Sequence, residues 1–153
     1  MKQSERQCRE NSPKGAGKSA LTVLVVDDEA LTRWSMAEVL GEGGYGVTVA
    51  GDAASALHAI ATANRAPDVI FLDLRLPDST DLAALSVIRR CAPQTALVLM
   101  TAHGNAEVYR EARRRGAAAV IDKPFDMRDL VPLVEHVLAD RCPDESPLTT
   151  SLY

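Results

Sequence analysis

The chain alternates five times between a short apolar run and a longer amphipathic stretch, and this alternation restricts the fold more than any other sequence feature. Runs rich in Val, Ile and Leu, separated by segments of helical length, are typical of parallel strands covered by helices on both faces. We therefore predict a doubly wound (βα)5 α/β domain with one five-stranded parallel sheet. The predicted strands span residues 21–26, 46–50, 69–72, 96–100 and 118–121, and the predicted helices span about 29–40, 53–64, 81–91, 105–115 and 127–139.

The length of 153 residues is enough for one hydrophobic core and too short for two ordinary domains. Residues 1–19 and 141–153 are polar, contain Pro and Ser, and lack apolar periodicity. Such segments do not recover the entropy cost of ordering by burial. We predict a disordered leader at 1–19, a folded domain at 20–140 and a flexible tail at 141–153.

Composition excludes several classes of protein. The net charge of −4 gives no overall basic field, so we expect no direct nucleic-acid partner. The sequence has neither an apolar run of the roughly 18 residues needed to cross a bilayer nor the apolar core of a signal peptide, so we expect no membrane partner. The cysteines, Cys8, Cys91 and Cys142, are odd in number and widely separated, which argues against a disulfide framework or a zinc site. These features favour a cytoplasmic protein.

Acidic side chains follow two of the predicted strands at the points where the strands end. Asp27 and Asp28 come directly after the first strand, and Asp73 comes directly after the third. Right-handed crossovers place the carboxyl ends of parallel strands at one edge of the sheet, where open α/β folds bind their ligands. Carboxylates so close together repel one another unless a cation neutralises them, and oxygen ligands without His or Cys favour Mg²⁺.

A hydroxyl and an ammonium group are expected at the same edge. Thr101 ends the fourth strand, and Lys123 follows the fifth. Together with a metal ion, these two donors can neutralise phosphoryl oxygens while a carboxylate attacks phosphorus in line. The combination of residue types predicts phosphoryl chemistry.

Four motifs carry a resemblance to a known family. They are Val-Val-Asp-Asp-Glu, Phe-Leu-Asp-Leu-Arg-Leu-Pro-Asp, Leu-Met-Thr-Ala and Asp-Lys-Pro-Phe. Through them, about residues 20–140 resemble the receiver domain of bacterial two-component response regulators, and Leu-Thr-Arg-Trp-Ser-Met in the first helix is similar to receivers of the nitrogen-regulation type. The resemblance implies a flavodoxin-like fold with strand order 2-1-3-4-5.

The resemblance also implies roles for the residues at the sheet edge. Asp73 would accept a phosphoryl group from a histidine kinase or histidine phosphotransfer protein. Phosphorylation of Asp73 would switch binding to a downstream protein and would not drive metabolic turnover. Mg²⁺ would be held by Asp27, Asp28, Asp73 and the backbone carbonyl of Arg75. Thr101 would bind one phosphoryl oxygen and swing inward on activation.

Lys123 would bind another phosphoryl oxygen in the same family pattern. The resemblance further implies a cis peptide bond between Lys123 and Pro124, and an X-Pro bond is where the cis form costs least.

The sequence departs from the family pattern at two positions. Val120 stands where the family usually has Tyr or Phe as a switch, so the coupling to the output surface either runs through the backbone or leaves Val120 as a packing residue. Asp81 stands where Gly is usual in the loop after the third strand, and we expect it to cap the following helix. The resemblance also implies that the positions of His103 and Arg75 flank the path of the hydrolytic water, and we hypothesise that these two residues set the lifetime of the phosphoryl group.

Two helices yield expectations about surfaces. In the first helix Met36, Val39 and Leu40 suit a buried face. Arg33 and Trp34 would then point outward, and we assign them to the kinase interface. In the fourth helix we expect an inward stripe of small area formed by Ala106, Tyr109 and Ala112, and therefore a weakly anchored helix.

Other functions remain open at this stage. A phosphatase with an aspartyl-phosphate intermediate usually has a second acid two residues after its nucleophile, a position that Arg75 occupies here. A degenerate receiver that binds a partner without phosphorylation is a second alternative. The chain could also be the receiver part of a longer transcription factor, and it could form homodimers through its last helices.

Overall fold

The computed structural model describes residues 20–79 and 82–141, which form one parallel sheet with helices on both faces. The predicted leader, nearly all of the predicted tail and Asp81 lie outside the described residues. The strands are β1 (Thr22–Val26), β2 (Gly46–Ala50), β3 (Val69–Asp73), β4 (Ala96–Thr101) and β5 (Ala117–Asp122). The helices are α1 (Ala30–Glu42), α2 (Ala53–Thr62), α3 (Ala83–Cys91), α4 (Ala106–Arg114) and α5 (Leu130–Arg141), and a 3-10 turn at Met127–Asp129 precedes α5.

The sheet has the order β2-β1-β3-β4-β5, and all of its pairings are parallel. The predicted fold and strand order are therefore confirmed. In this order β1, β3 and β4 are neighbours at the centre, with Val26 opposite Leu72 and Asp73 opposite Met100. The carboxyl ends of these strands consequently lie side by side at one edge.

The central strands are buried on both faces because alternate side chains enter two separate cores. Leu24, Ile70 and Leu97 belong to the core beneath α2, α3 and α4. Val25, Phe71 and Val98 belong to the core beneath α1 and α5. This double burial explains why the strands are nearly continuous apolar runs in the sequence.

The predicted strand bounds agree with the structure to within one residue, and the helix bounds agree to within three. The largest difference is at the start of α5. There the Asp126 carboxylate accepts a hydrogen bond from the backbone amide of Arg128 and begins a 3-10 turn before the α-helix at Leu130. Short 3-10 turns are common at helix ends and leave no distinct periodicity in a sequence.

The expected inward stripe of α4 is partly wrong. Ala112 is buried and Tyr109 is half-buried, but Ala106 is exposed. Val108 is half-buried and lies on the same side of the helix as Ala112, four residues later, whereas Ala106 lies about 200° around the helix from Val108. The helix therefore rests on the sheet through few apolar side chains.

No helix in the described ranges is long and apolar enough to span a bilayer. Among the residues described, Cys91 is an exposed free thiol at the end of α3, while Cys8 and Cys142 lie outside them.

Candidate functional site

Three carboxylates converge where β1 and β3 end. Asp27 follows β1, Asp28 comes next, and Asp73 is the last residue of β3. One oxygen from each carboxylate lies within 4.8 Å of the other two. Asp27 is fully buried, Asp73 is 6% exposed and Asp28 faces solvent. The cluster is thus a set of hard oxygen ligands with an open side, which suits Mg²⁺ or a similar cation.

The ammonium group of Lys123 lies against two of these carboxylates. Its Nζ donates to Asp27 Oδ2 at 2.6 Å and to Asp73 Oδ2 at 3.1 Å. Its backbone N–H donates to the Thr101 carbonyl at 2.8 Å, so the end of β4 holds the lysine in place. The peptide bond from Lys123 to Pro124 is cis, as the resemblance implied.

Burial, hydrogen bonds and neighbouring charges all shift the pKa values of Asp73 and Lys123. Burial raises the pKa of Asp73, and the Asp27 charge raises it further, so that together they outweigh the hydrogen bonds from the Arg75 amide and Lys123. Burial alone would lower the pKa of Lys123, but its hydrogen bonds and charge contacts with the two aspartates raise it overall. The lysine therefore stays charged, and Asp73 is less acidic than a solvated aspartate.

Two carboxylates make hydrogen bonds that fix the described part of the loop after β3, residues 74–79. Asp73 Oδ1 accepts a 3.1 Å hydrogen bond from the Arg75 amide, which orients the carboxylate. Further along, the Asp78 carboxylate accepts from the amides of Ala53 and Ala54, both at 2.9 Å, at the start of α2. These bonds lower the pKa of Asp78. This contact was not predicted from the sequence, since a cap supplied from 25 residues away has no local pattern.

Thr101 is buried at the end of β4, next to the position of Asp73 on the neighbouring strand. Its Oγ1 accepts a 3.2 Å hydrogen bond from the His103 amide. The side chains of His103 and Arg75 are exposed, and Val120 is half-buried against the core under α2, α3 and α4. The threonine hydroxyl is therefore held by its own loop.

The two residues assigned to an interface differ in their surroundings. Trp34 is 62% exposed and Leu31, one helical turn before it, is 69% exposed. The expected outward direction of Arg33 is wrong, because its guanidinium turns back and donates a hydrogen bond to the backbone of the acidic loop. A long flexible side chain at a helix start can reach a free carbonyl, and helical periodicity alone does not reveal this.

Comparison with known proteins agrees with the fold. The response regulator receiver domain family matches residues 23–135. The DNA-binding transcriptional regulator NtrC of Escherichia coli (strain K12) is 32% identical over 130 residues, which are 85% of this chain and 27% of NtrC. The nitrogen assimilation regulatory protein NtrX of Azorhizobium caulinodans is 39% identical over 118 residues, which are 76% of this chain and 26% of NtrX.

A solved structure resembles the whole folded part. The CheY-like response regulator receiver domain protein from Methanospirillum hungatei JF-1 superposes with a TM-score of 0.73 at 26% identity, over 79% of this chain and 95% of that one. By contrast, the chain spans about a quarter of the length of the two curated relatives above. With its sheet order, its edge of carboxylates and its match over residues 23–135, the chain belongs to the response regulator receiver domain family.

Proposed function

We propose that Asp73 accepts a phosphoryl group from a histidine kinase or a histidine phosphotransfer protein, and that the change alters binding to a downstream protein. The observation that supports this most strongly is the position of the Asp73 carboxylate. It is nearly buried, beside two further aspartates and in direct contact with the Lys123 ammonium. An anion-accepting carboxylate needs such neighbouring positive charge, since a phosphoryl group adds negative charge to an already acidic site.

Asp27, Asp28 and Asp73 would hold Mg²⁺, and the backbone carbonyl of Arg75 would complete the set as the family pattern implies. Their oxygens fit the ion, because they are hard ligands that converge from the ends of β1 and β3. When bound, Mg²⁺ would supply charge neutralisation to the phosphoryl oxygens.

The chemistry assigned to the chain's own groups is a phosphoryl exchange. A carboxylate oxygen of Asp73 forms a bond to phosphorus, the bond from phosphorus to the donor's histidine nitrogen breaks, and that nitrogen keeps the electron pair. Lys123 would turn its ammonium toward one phosphoryl oxygen. The hydroxyl of Thr101 would turn toward another, which requires it to leave its contact with the His103 amide.

The exposed pair formed by Leu31 and Trp34 supports a donor-binding surface on the first two turns of α1. These side chains are apolar and solvent-exposed, and they follow closely after the acidic loop. Solvent-exposed aromatic side chains are frequent anchors in protein–protein interfaces. With Trp34→Ala, transfer from a phosphorylated phosphotransfer protein would slow while labelling by a small phosphodonor would not change. Equal slowing with both donors would contradict a docking role.

The central experiment is intact-mass measurement after incubation with acetyl phosphate, with and without Mg²⁺. The proposal predicts the gain of one phosphoryl group per chain, dependent on Mg²⁺ and lost in Asp73→Asn. Asp126→Asn is the matched control, because Asp126 is an exposed aspartate paired with Arg128 outside the site. An unlabelled wild type would favour a binding module that works without phosphorylation, and continued hydrolysis of added phosphate esters would favour a phosphatase.

The names of the relatives favour a second, related proposal, that the chain controls transcription as the receiver part of a regulator. NtrC is named a DNA-binding transcriptional regulator, and this chain matches about a quarter of it. Transcript profiles of cells carrying Asp73→Asn would differ from wild type in a limited set of genes if the proposal is correct. Unchanged profiles under inducing conditions would contradict it.

A further inference from the structure

The phenol of Tyr109 connects α4 to the end of β5. Its hydroxyl donates toward the Asp122 carboxylate, with oxygen distances of 2.6 and 2.8 Å. The same hydrogen bond raises the pKa of Tyr109, so the phenol keeps its proton at neutral pH and can donate. The contact joins an element that rests weakly on the sheet to the strand that precedes Lys123.

Asp122 is next to both residues that are proposed to bind phosphoryl oxygens, Thr101 and Lys123. It lies opposite Thr101 in the pairing of β4 with β5, and it directly precedes Lys123. The Lys123 amide in turn donates to the Thr101 carbonyl at 2.8 Å. The Tyr109 hydroxyl therefore binds a residue that neighbours both Thr101 and Lys123 in the backbone.

The Tyr109 ring also lies against Gly104 in the loop between β4 and α4. A Cβ built at Gly104 would lie 2.6 Å from a Tyr109 ring carbon and 2.8 Å from its hydroxyl. Real Cβ atoms do not approach so closely, so only glycine at 104 leaves space for the ring in this position. The loop beneath the ring includes His103, whose amide holds the Thr101 hydroxyl.

Few other contacts fix the first half of α4. Ala112 is the one fully buried residue of the whole helix, and it lies in the second half of α4. Arg115, which bonds to the Leu82 carbonyl and the Ser86 hydroxyl, follows the helix at its far end. In the described part of the chain, the bond between Tyr109 and Asp122 is therefore the principal polar link between the first half of α4 and the sheet.

We propose that Tyr109 is a positioning residue for Thr101: its bond to Asp122 holds loop 102–105 closed and keeps the Thr101 hydroxyl on the His103 amide. This inference rests on the proposed phosphorylation of Asp73. Because the hydroxyl has to turn toward the phosphoryl group, the bond opposes the active arrangement. Its loss makes phosphorylation faster and loosens the start of α4.

The test uses Tyr109→Phe, which keeps the ring over Gly104 and removes only the hydroxyl. We expect acetyl phosphate to label this variant about threefold to tenfold faster than wild type, the range that corresponds to one hydrogen bond. We also expect faster amide hydrogen exchange at residues 102–109 before any phosphodonor is added. Tyr45→Phe is the control, since Tyr45 lies in the core on the opposite face of the sheet and its variant should behave as wild type.

A double-mutant cycle separates positioning from simple destabilisation. Asp122→Ala should accelerate labelling as much as Tyr109→Phe, and the double variant should be no faster than either, because both changes remove the same bond. Gly104→Ala should have the same effect by displacing the ring. Additive acceleration, unchanged labelling, or faster exchange without faster labelling would each overturn the proposal. Failure of wild type to be labelled would instead contradict the proposed phosphorylation of Asp73.

Discussion

Arg33 donates a 2.7 Å hydrogen bond from its guanidinium to the backbone carbonyl of Asp27. The same nitrogen lies close to Gly51, where a Cβ would come within 3.1 Å of it. The first acidic loop is thus held by a side chain from α1 as well as by its own strand. Arg33 has a structural contact that Trp34, its neighbour in the sequence, does not share.

We predict that Arg33→Ala lowers the free energy of unfolding by about 1 kcal/mol, because a half-buried hydrogen bond to a carbonyl is lost. Trp34→Ala should change it by less than about 0.5 kcal/mol, since most of that side chain is already in solvent. Urea denaturation at neutral pH measures both. A larger loss for Trp34→Ala than for Arg33→Ala would contradict this division of roles.

Replacing Lys123 by Met should separate cation binding from phosphoryl transfer. The ammonium is in direct contact with two of the carboxylates, so removing its charge should tighten Mg²⁺ binding by at least about fivefold. The rate of labelling by acetyl phosphate should fall about 100-fold, because the variant loses a hydrogen-bond donor to the negative charge that develops on the phosphoryl oxygens. Titration calorimetry and intact mass give the two quantities, with Arg128→Met as a control for loss of an exposed positive charge. Weaker Mg²⁺ binding would mean that Lys123 orders the carboxylates.

The Asp78 contact should make part of the stability dependent on pH. The pKa of Asp78 is lower in the folded protein than its ordinary value of 3.8, because two backbone amides bind the ionised form. Its contribution to stability is therefore complete above pH 3.8 and is lost as the pH falls through the lowered pKa. Asp78→Ala should be less stable than wild type at pH 7, and the difference should shrink below pH 3.8. Urea unfolding at a series of pH values measures the difference in the free energy of unfolding between wild type and Asp78→Ala. A difference that did not change with pH would contradict the prediction.

Two glycines should respond in opposite directions to alanine. Gly116 has φ +101° and a Cβ there would lie 3.0 Å from Arg89 Nε, so Gly116→Ala should cost about 1–2 kcal/mol. Gly41 lies in α1 with open space around it, so Gly41→Ala should stabilise by about 0.5–1 kcal/mol through helix propensity. Thermal unfolding of the two variants compares them directly. A loss of stability in Gly41→Ala would contradict the prediction, because a Cβ at this position meets no other atom within 4 Å.

Most of the fold could be predicted because it depends on patterns along the chain. The strands that carry Asp27, Asp73 and Thr101 are apolar runs with abrupt polar ends, and the parallel topology brings those ends together. The directions of long side chains were less predictable. Arg33 turns back to a carbonyl and Tyr109 reaches Asp122, 13 residues away, and both contacts depend on packing between elements that a periodicity does not describe.

The contact between Lys123 and Asp27 joins residues 96 positions apart in the chain. A fragment that ended before β5 would still contain every aspartate of the cluster, yet it would lack the strand that pairs with β4. The carboxylates of such a fragment would have no fixed spacing for a cation, since their strands need the rest of the sheet. Binding of Mg²⁺ to the acidic pocket therefore requires the complete fold. During refolding, affinity for Mg²⁺ should appear only in the last, global step.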